Sequence, residues 1–376
     1  MFLLERIIGI STYTLVLIIS CLLLLNVKPR QRKSVFIIIL AMLTIMAFLN
    51  EPHTTSDLFR IRQYARHFAS QDWGSFWESI ADGSSGLASS PSAMVYYKLL
   101  GSLPDIRFIS MVSGLISYSL IFYMMQDFSI RFKISNSALT IGFFAFMAMD
   151  YFIPITSTIR SYLATVLVCF CIYRETVQNR FGWINPVLYL ITLGMHDVGL
   201  ILVGFRVGCF LISRDINIDK SKWNRYRMIT LAALVICSSI LLPLLFDKLG
   251  KADGYMEGDV YSYDWEYRLC LFRLAVLIMT WIVINRYRLL WGEWINRIWI
   301  LLSLALLLMM VCVVDFTFLM RICFFTELLW ILPVMLAINR LNISRNFFLS
   351  NLWILSGIFS FILSLARGYL CSLKFW

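Results

Sequence analysis

Two short polar stretches stand where apolar helices would otherwise run on: Ser157-Thr158-Ile159-Arg160 and Gly194-Met195-His196-Asp197. An arginine, histidine or aspartate at membrane depth is costly to place and marks a functional position by default. His196 is one of only three histidines, with His53 and His67. An imidazole titrates near neutrality, so His196 is a candidate general base for an incoming hydroxyl. Its plainer role is a structural histidine that ties two helices together. Asp197 either orients that imidazole or caps the helix beginning there. Arg160 and Arg321 sit where an apolar segment begins or ends, and guanidinium groups bind phosphate bidentately. Each is otherwise a snorkelling interfacial arginine. Glu327 is a base, an Arg321 partner or a buried structural acid.

Composition sets the elements that must position these groups. Apolar residues make up 60% of the 376 residues and charged residues only 15%, with a mean hydropathy of +0.77. Soluble domains average about 45–50% apolar and about 25% charged. Apolar runs of roughly 17–20 residues recur throughout, the mark of a polytopic α-helical membrane protein. The chain reads as one integral membrane domain, residues 1–376, with no internal repeat or flexible linker. The net charge of +11 reflects basic cytoplasmic loops rather than nucleic-acid binding. Eight of nine cysteines (Cys21, Cys169, Cys171, Cys209, Cys237, Cys270, Cys312, Cys323) lie in apolar spans as small hydrophobes. No CxxC pair or Cys/His spacing suggests a metal, and no cofactor is indicated. The first apolar run, 7–27, is long and is followed by Lys28-Pro29-Arg30-Gln31-Arg32-Lys33, a stop-transfer pattern rather than a cleaved signal.

Placing the basic connections 28–33, 131–133, 174–180, 214–227, 286–297 and 340–345 in the cytoplasm requires an even number of crossings between neighbours. Segments near 7–27, 35–49, 108–126, 137–153, 162–173, 184–195, 198–213, 228–246, 269–284, 298–314, 322–338 and 347–365 satisfy this. The expectation is about twelve crossings with both termini outside. The stretch 184–213 is then two short helices meeting at His196, not one long helix. About 17 of the 22 acidic residues fall outside. So do all three histidines and several arginines (Arg60, Arg62, Arg66, Arg160, Arg268, Arg321), against the usual charge bias.

The outer loop 50–107 begins with a helix-spaced stretch that Ser56 or Thr55 caps, with Asp57 in its first turn. Asp57, Arg60 and Tyr64 share one face, and Asp57 is the alternative base. Its plainer role is a charge at a helix N-terminus. Asp82-Gly83-Ser84-Ser85-Gly86 is a turn. Ser90-Pro91 leads into a helix over 93–100, too short to span, which reads as re-entrant or interfacial. The second outer loop, 247–267, mixes Asp253, Glu257, Asp259, Asp264 and Glu266 with Tyr255, Tyr261, Tyr263, Trp265 and Tyr267. That mixture suits sugar contact, or else a solvated loop with interfacial aromatics. Arg268 and Arg273 start the next span and lie beside it. Arginines, carboxylates, one histidine and many aromatics above a lipid-wide bundle suit a substrate with a phosphate, a lipid tail and a hydroxylated head. A polyprenyl-diphosphate-linked saccharide is such a substrate.

These residues resemble the EpsG/Wzy-type polymerases of bacterial O-antigen, capsule and exopolysaccharide synthesis, over roughly residues 40–340. Ser56-Asp57 with Arg60 and Tyr64 resembles the family's Asp…Tyr stretch. Ser90-Pro91 through Leu100 resembles its Pro-containing short helix. Ile159-Arg160-Ser161-Tyr162-Leu163-Ala164 resembles its Ile-Arg motif, Leu193 through Leu200 its His motif, and Arg321 with Phe324-Phe325 and Leu332-Pro333 its late Arg helix. Two departures stand: the family's Tyr position holds Ile61, and the usual small residue after the His is Asp197. The resemblance implies a metal-independent, GT-C-like glycosyltransferase. It would move a glycan from polyprenyl diphosphate onto another lipid-linked repeat unit at the outer face of the cytoplasmic membrane. A chain-length regulator and a flippase are the implied protein partners. Arg160 and Arg321 are the first candidates to stabilise the leaving diphosphate, and Arg60 and Arg268 the second. An O-antigen ligase and a transporter of lipid-linked oligosaccharide are the rival readings. A ligase needs a lipid A-core acceptor. A transporter would be expected to carry an internal repeat and midplane charges.

Overall fold

The computed structural model describes residues 2–52, 56–82, 87, 90–149, 152–180, 182–212, 221, 224–225, 228–230, 264–287, 293–314, 316–341 and 343–367. Its regular elements are all helices. In chain order they are α1 (Phe2–Asn26), α2 (Arg32–Leu49), α3 (Asp57–Ser70), α4 (Trp73–Ala81), α5 (Pro91–Gly101), α6 (Phe108–Arg131), α7 (Asn136–Ala148) and α8 (Phe152–Ser157). They continue with α9 (Ile159–Thr176), α10 (Ile184–Met195), α11 (Asp197–Ile212), α12 (Asp264–Tyr287), α13 (Glu293–Val311), α14 (Phe316–Arg340) and α15 (Ile343–Arg367).

Among the described residues, six helices are long and apolar enough to cross a membrane: α1, α2, α6, α12, α14 and α15. Asn136–Ala148, Ile184–Met195 and Ile298–Val311 are apolar but shorter. This is the architecture of a multi-pass membrane protein. The outward faces of α1, α2, α13 and α15 carry Leu15, Ile18, Leu22, Ile37, Ile45, Leu307, Leu355 and Ile362, all exposed. Lipid is the environment such a surface suits, since water-facing apolar patches of this extent are rare. Buried hydroxyls turn back onto their own helices: Ser20, Thr165 and Thr280 each donate to the carbonyl four residues earlier. α14 is the central helix. Of its span 89% is buried, against 33% for α1 and for α15.

Eleven of the twelve expected segments fall on described helices; the segment 228–246 lies outside the described residues apart from 228–230. The expected 137–153 run is shorter as a helix, because α7 stops at Ala148 and α8 starts separately at Phe152. Most of the loop 247–267 and the turn 83–86 also lie outside the described residues.

Side-chain pairings fix which helix ends meet. At one end Arg32 hydrogen-bonds Ser129, the Ile134 carbonyl and Asn136, and Asn339 accepts from Ser135 N. At the other, Asn50 faces Thr156 and Ser157, and Arg273 donates to the Met149 carbonyl. α9 and α14 run parallel, since Tyr162 packs on Phe324 and Cys169 on the Phe325 carbonyl. α12 and α14 are parallel too, because Cys270 meets Cys323 and Arg273 meets Glu327. The N-termini of α9, α12 and α14 therefore share an end with Asn50, and the turn at His196 lies there as well.

Candidate functional site at the His196 end

α9, α10 and α11 form a helical zigzag. α10 ends at Met195 and α11 begins at Asp197, with His196 extended between them (φ −164°, ψ 155°). The two-helix reading of 184–213 is the one observed. Two glycines allow the close packing here. A Cβ on Gly199 would strike the Thr192 carbonyl, and one on Gly194 would strike the Ser92 hydroxyl of α5.

His196 itself caps α11. Its Nδ1 accepts the Val198 N–H at 3.1 Å, and its carbonyl accepts the Gly199 N–H at 2.8 Å. These are local contacts within the first turn of α11, a cap rather than the tie between two helices that the sequence suggested. A neutral ring whose Nδ1 accepts carries its proton on Nε2, so the imidazole presents a donor rather than a lone pair. Asp197 is the first residue of α11, where a carboxylate favours the helix dipole. The side chain that caps the Val198 amide is His196.

Arg160 is in the first turn of α9, just past the break at Thr158, and is half-buried. It lies within electrostatic reach of the Tyr97 phenol of α5, as does Asp57. Tyr97 is fully buried, and its hydroxyl has no hydrogen-bond partner. Ser56 caps α3 by accepting the Phe59 N–H, as the sequence anticipates. Asp57 and Arg60 form an ion pair with one another on an exposed face. Tyr64 is half-buried and stacks on Phe68, with ring centroids 6.2 Å apart. Arg62, one residue pair away, turns inward and donates to the Asn50 carbonyl (2.9 Å) beside Glu51. Burial pushes its guanidinium below the ordinary arginine range, and Glu51 opposes that shift. At the start of α6, Arg107 grips Asp105 through its backbone N–H, Nε and Nη2. That grip holds the Asp105 carboxyl below the usual range.

Arg321 is half-buried near the start of α14, close to the ring of Tyr162. Glu327 lies deeper and fully buried. Arg273 Nε stands 3.8 Å from its Oε1. Arg268 is exposed at the start of α12. Eight of the nine candidate residues therefore lie toward one end of the bundle, with Glu327 near the midpoint of α14. The nine form two groups: Asp57, Arg60, Tyr64, Arg160, His196 and Asp197 around α5, and Arg268, Arg321 and Glu327 around α12 and α14. No family model, curated protein or solved structure matches this chain. Among the described residues no cluster of three or more His, Cys, Asp or Glu side chains is placed to hold a metal ion.

Sequence reasoning missed the place of Tyr97 and the partner of Arg273. The adjacent tyrosines 96 and 97 in a short helix were the available signal for the first. Nothing local marks the partner of Arg273, which is 54 residues away in the chain. It also missed a buried charged network at the opposite end. Glu175 of α9 receives Arg206 Nε of α11 at 2.8 Å, and Asn185 and Tyr189 of α10 at 3.0 Å each. A small apolar cavity lined by Cys169, Tyr173, Trp294, Leu328 and Leu329 also lies toward that end, next along α14 from Glu327.

Proposed function

We propose that this chain is a polysaccharide polymerase of the bacterial cytoplasmic membrane. It transfers a glycan from polyprenyl diphosphate onto the nonreducing end of another lipid-linked repeat unit at the outer face. The bundle then has about twelve crossings in a GT-C-like arrangement, with the His196 end outside. The observation that carries the reading is the gathering of Arg160, Arg268, Arg321 and the His196 Nε2–H at one end of an otherwise apolar bundle. Such a set suits a diphosphate, because guanidinium groups and N–H donors stabilise phosphate oxygens.

The reaction breaks the bond from the donor's anomeric carbon to the phosphate oxygen and forms one from that carbon to the acceptor hydroxyl. Negative charge develops on the departing diphosphate. Fixed cations and N–H donors aimed at that charge lower the barrier most. Arg160 and Arg321 take this role without a metal ion, with Arg268 at the rim and His196 as an N–H donor. The acceptor proton passes to Asp57, whose partner Arg60 stabilises the carboxylate beforehand. Tyr64 and Asp197 face the saccharide as hydrogen-bonding groups, while the buried Glu327 holds Arg273 beneath them. A bilayer supplies the lipid tail's environment, and a flippase and a chain-length regulator complete the assembly.

The test is the glycan ladder from cells carrying Arg160→Ala or His196→Ala. Collapse of the ladder to a single repeat unit is expected for Arg160→Ala, with a strong shortening for His196→Ala. A normal ladder in both rejects the assignment. Supplying only lipid-linked repeat units separates polymerisation from ligation, since a ligase leaves their length unchanged.

A further inference from the structure

α4 is the least expected element at the His196 end. Asp72 caps it, accepting from Ser75 N at 3.0 Å and from the Ser75 hydroxyl at 2.6 Å. Phe76 is fully buried and Ile80 packs against the core. Trp73 and Trp77, one turn apart, stay 49% and 52% exposed. Their ring planes are within 29° of parallel, yet the centroids are 6.3 Å apart. Parallel rings in full face contact would be closer, so the two indoles are displaced sideways and each keeps open face.

Trp73 is held rigidly. Lys98 of α5 is 3% exposed and donates to the Phe68 and Gln71 carbonyls at 2.9 and 2.6 Å. Its ammonium stands 4.7 Å from the Trp73 ring centroid, a cation–π contact, while Phe76 meets the same indole edge-on. A buried lysine thus fixes one side of the platform before any ligand arrives. On α4 and its flanks Asp72, Glu78 and Asp82 are exposed and there is no lysine or arginine, while the adjoining α3 and α5 expose Arg66, His67 and Leu99. Helices that lie on lipid headgroups carry basic residues on the polar face and aliphatic side chains below. No aliphatic side chain larger than alanine is exposed on α4.

We propose that Trp73 and Trp77 form a glycan-binding platform, on which neutral pyranose rings stack while Asp72 and Glu78 accept their hydroxyl hydrogen bonds. The proposal rests on the polymerase reading only in taking a saccharide as cargo. Ser92 touches the Gly194 position, and Lys98 lies six residues further along α5, about 9 Å at helical rise. The platform therefore holds glycan a short distance from the His196 turn and steers the chain's approach to it.

The test uses the full chain in detergent or lipid nanodiscs with maltohexaose, cellohexaose and chitohexaose as probes. Saturation-transfer NMR reads binding to the wild type, to Trp73→Ala/Trp77→Ala, to Trp73→Phe/Trp77→Phe and to Trp183→Ala as an exposed control. At least one probe should bind the wild type. Its affinity should fall more than tenfold in the double alanine variant and hold within a few-fold in the phenylalanine variant and the control. Binding of none of the three to the wild type, or equal binding by the double alanine variant, overturns the proposal. Quenching by brominated phospholipid that disappears in the double alanine variant also overturns it, since the indoles would then sit in acyl chains. Binding is read without turnover, and Arg160→Ala is measured alongside. A normal ladder in that variant defeats the polymerase reading and leaves the binding result standing.

Discussion

Replacing His196 by asparagine separates the two jobs the ring is positioned to do. The asparagine Oδ1 stands close to where Nδ1 accepts the Val198 N–H, so the cap on α11 survives. The Nε2 donor is removed outright. Losing one preorganised donor to developing negative charge costs about 2.7–4 kcal/mol of barrier, a rate loss of about 10²–10³. Losing a helix cap costs ~1 kcal/mol of stability. Expected, then, is a His196→Asn protein that melts within a degree or two of wild type but lengthens lipid-linked glycan hundreds of times more slowly. His196→Ala should lose the same rate and also melt lower. The assay is in vitro elongation of purified lipid-linked repeat units, paired with thermal unfolding in the same detergent. Wild-type turnover in His196→Asn would refute the donor role. Activity that tracks melting temperature across Asn, Gln and Ala would reduce His196 to a cap.

Other perturbations follow from the same geometry. Glu175→Gln or Arg206→Met alone strands a buried charge and should cost about 3–5 kcal/mol; the double variant should cost clearly less than the sum, measured by denaturant titration in detergent. Gly194→Ala forces a methyl group onto Ser92 and should cost ~1–3 kcal/mol by overpacking, with Ser92→Gly restoring part of the melting temperature. Asp105 titrates low because Arg107 grips it, so its contribution is complete above the ordinary carboxylate range and disappears as pH falls through its depressed value. At this half-exposed pair that contribution is under about 1 kcal/mol, and Asp105→Asn should flatten the acid limb of the stability profile slightly.

Local signals carried the local structure. The Ser56 cap, the start of α3 at Asp57, the short helix after Pro91 and the break at His196 each follow from residues within a turn of one another. Hydropathy located the long apolar segments because lipid demands a length, and length is written directly in sequence. α4 carries little local helix signal, because Gly74 and Ser75 are weak helix formers, and its order comes from Phe76 and from Lys98, which is distant in sequence. The partners of Glu327 and Glu175 escaped for a related reason. A carboxylate's counter-ion depends on which helices are neighbours, and periodicity does not record neighbours. Asp57 and Arg60 share a face as the spacing requires, but their pairing with each other became visible only with side chains in place.

The Glu175–Arg206 bond also constrains how the chain enters a bilayer. Glu175 emerges from the ribosome well before Arg206, and a buried carboxylate without its counter-ion is strongly disfavoured. The C-terminal end of α9 cannot pack until α11 has followed it, so α9, α10 and α11 are expected to leave the insertion machinery as one parcel. A nascent chain stalled just short of Arg206 should remain held at the translocon, and release should come only once the guanidinium has been synthesised.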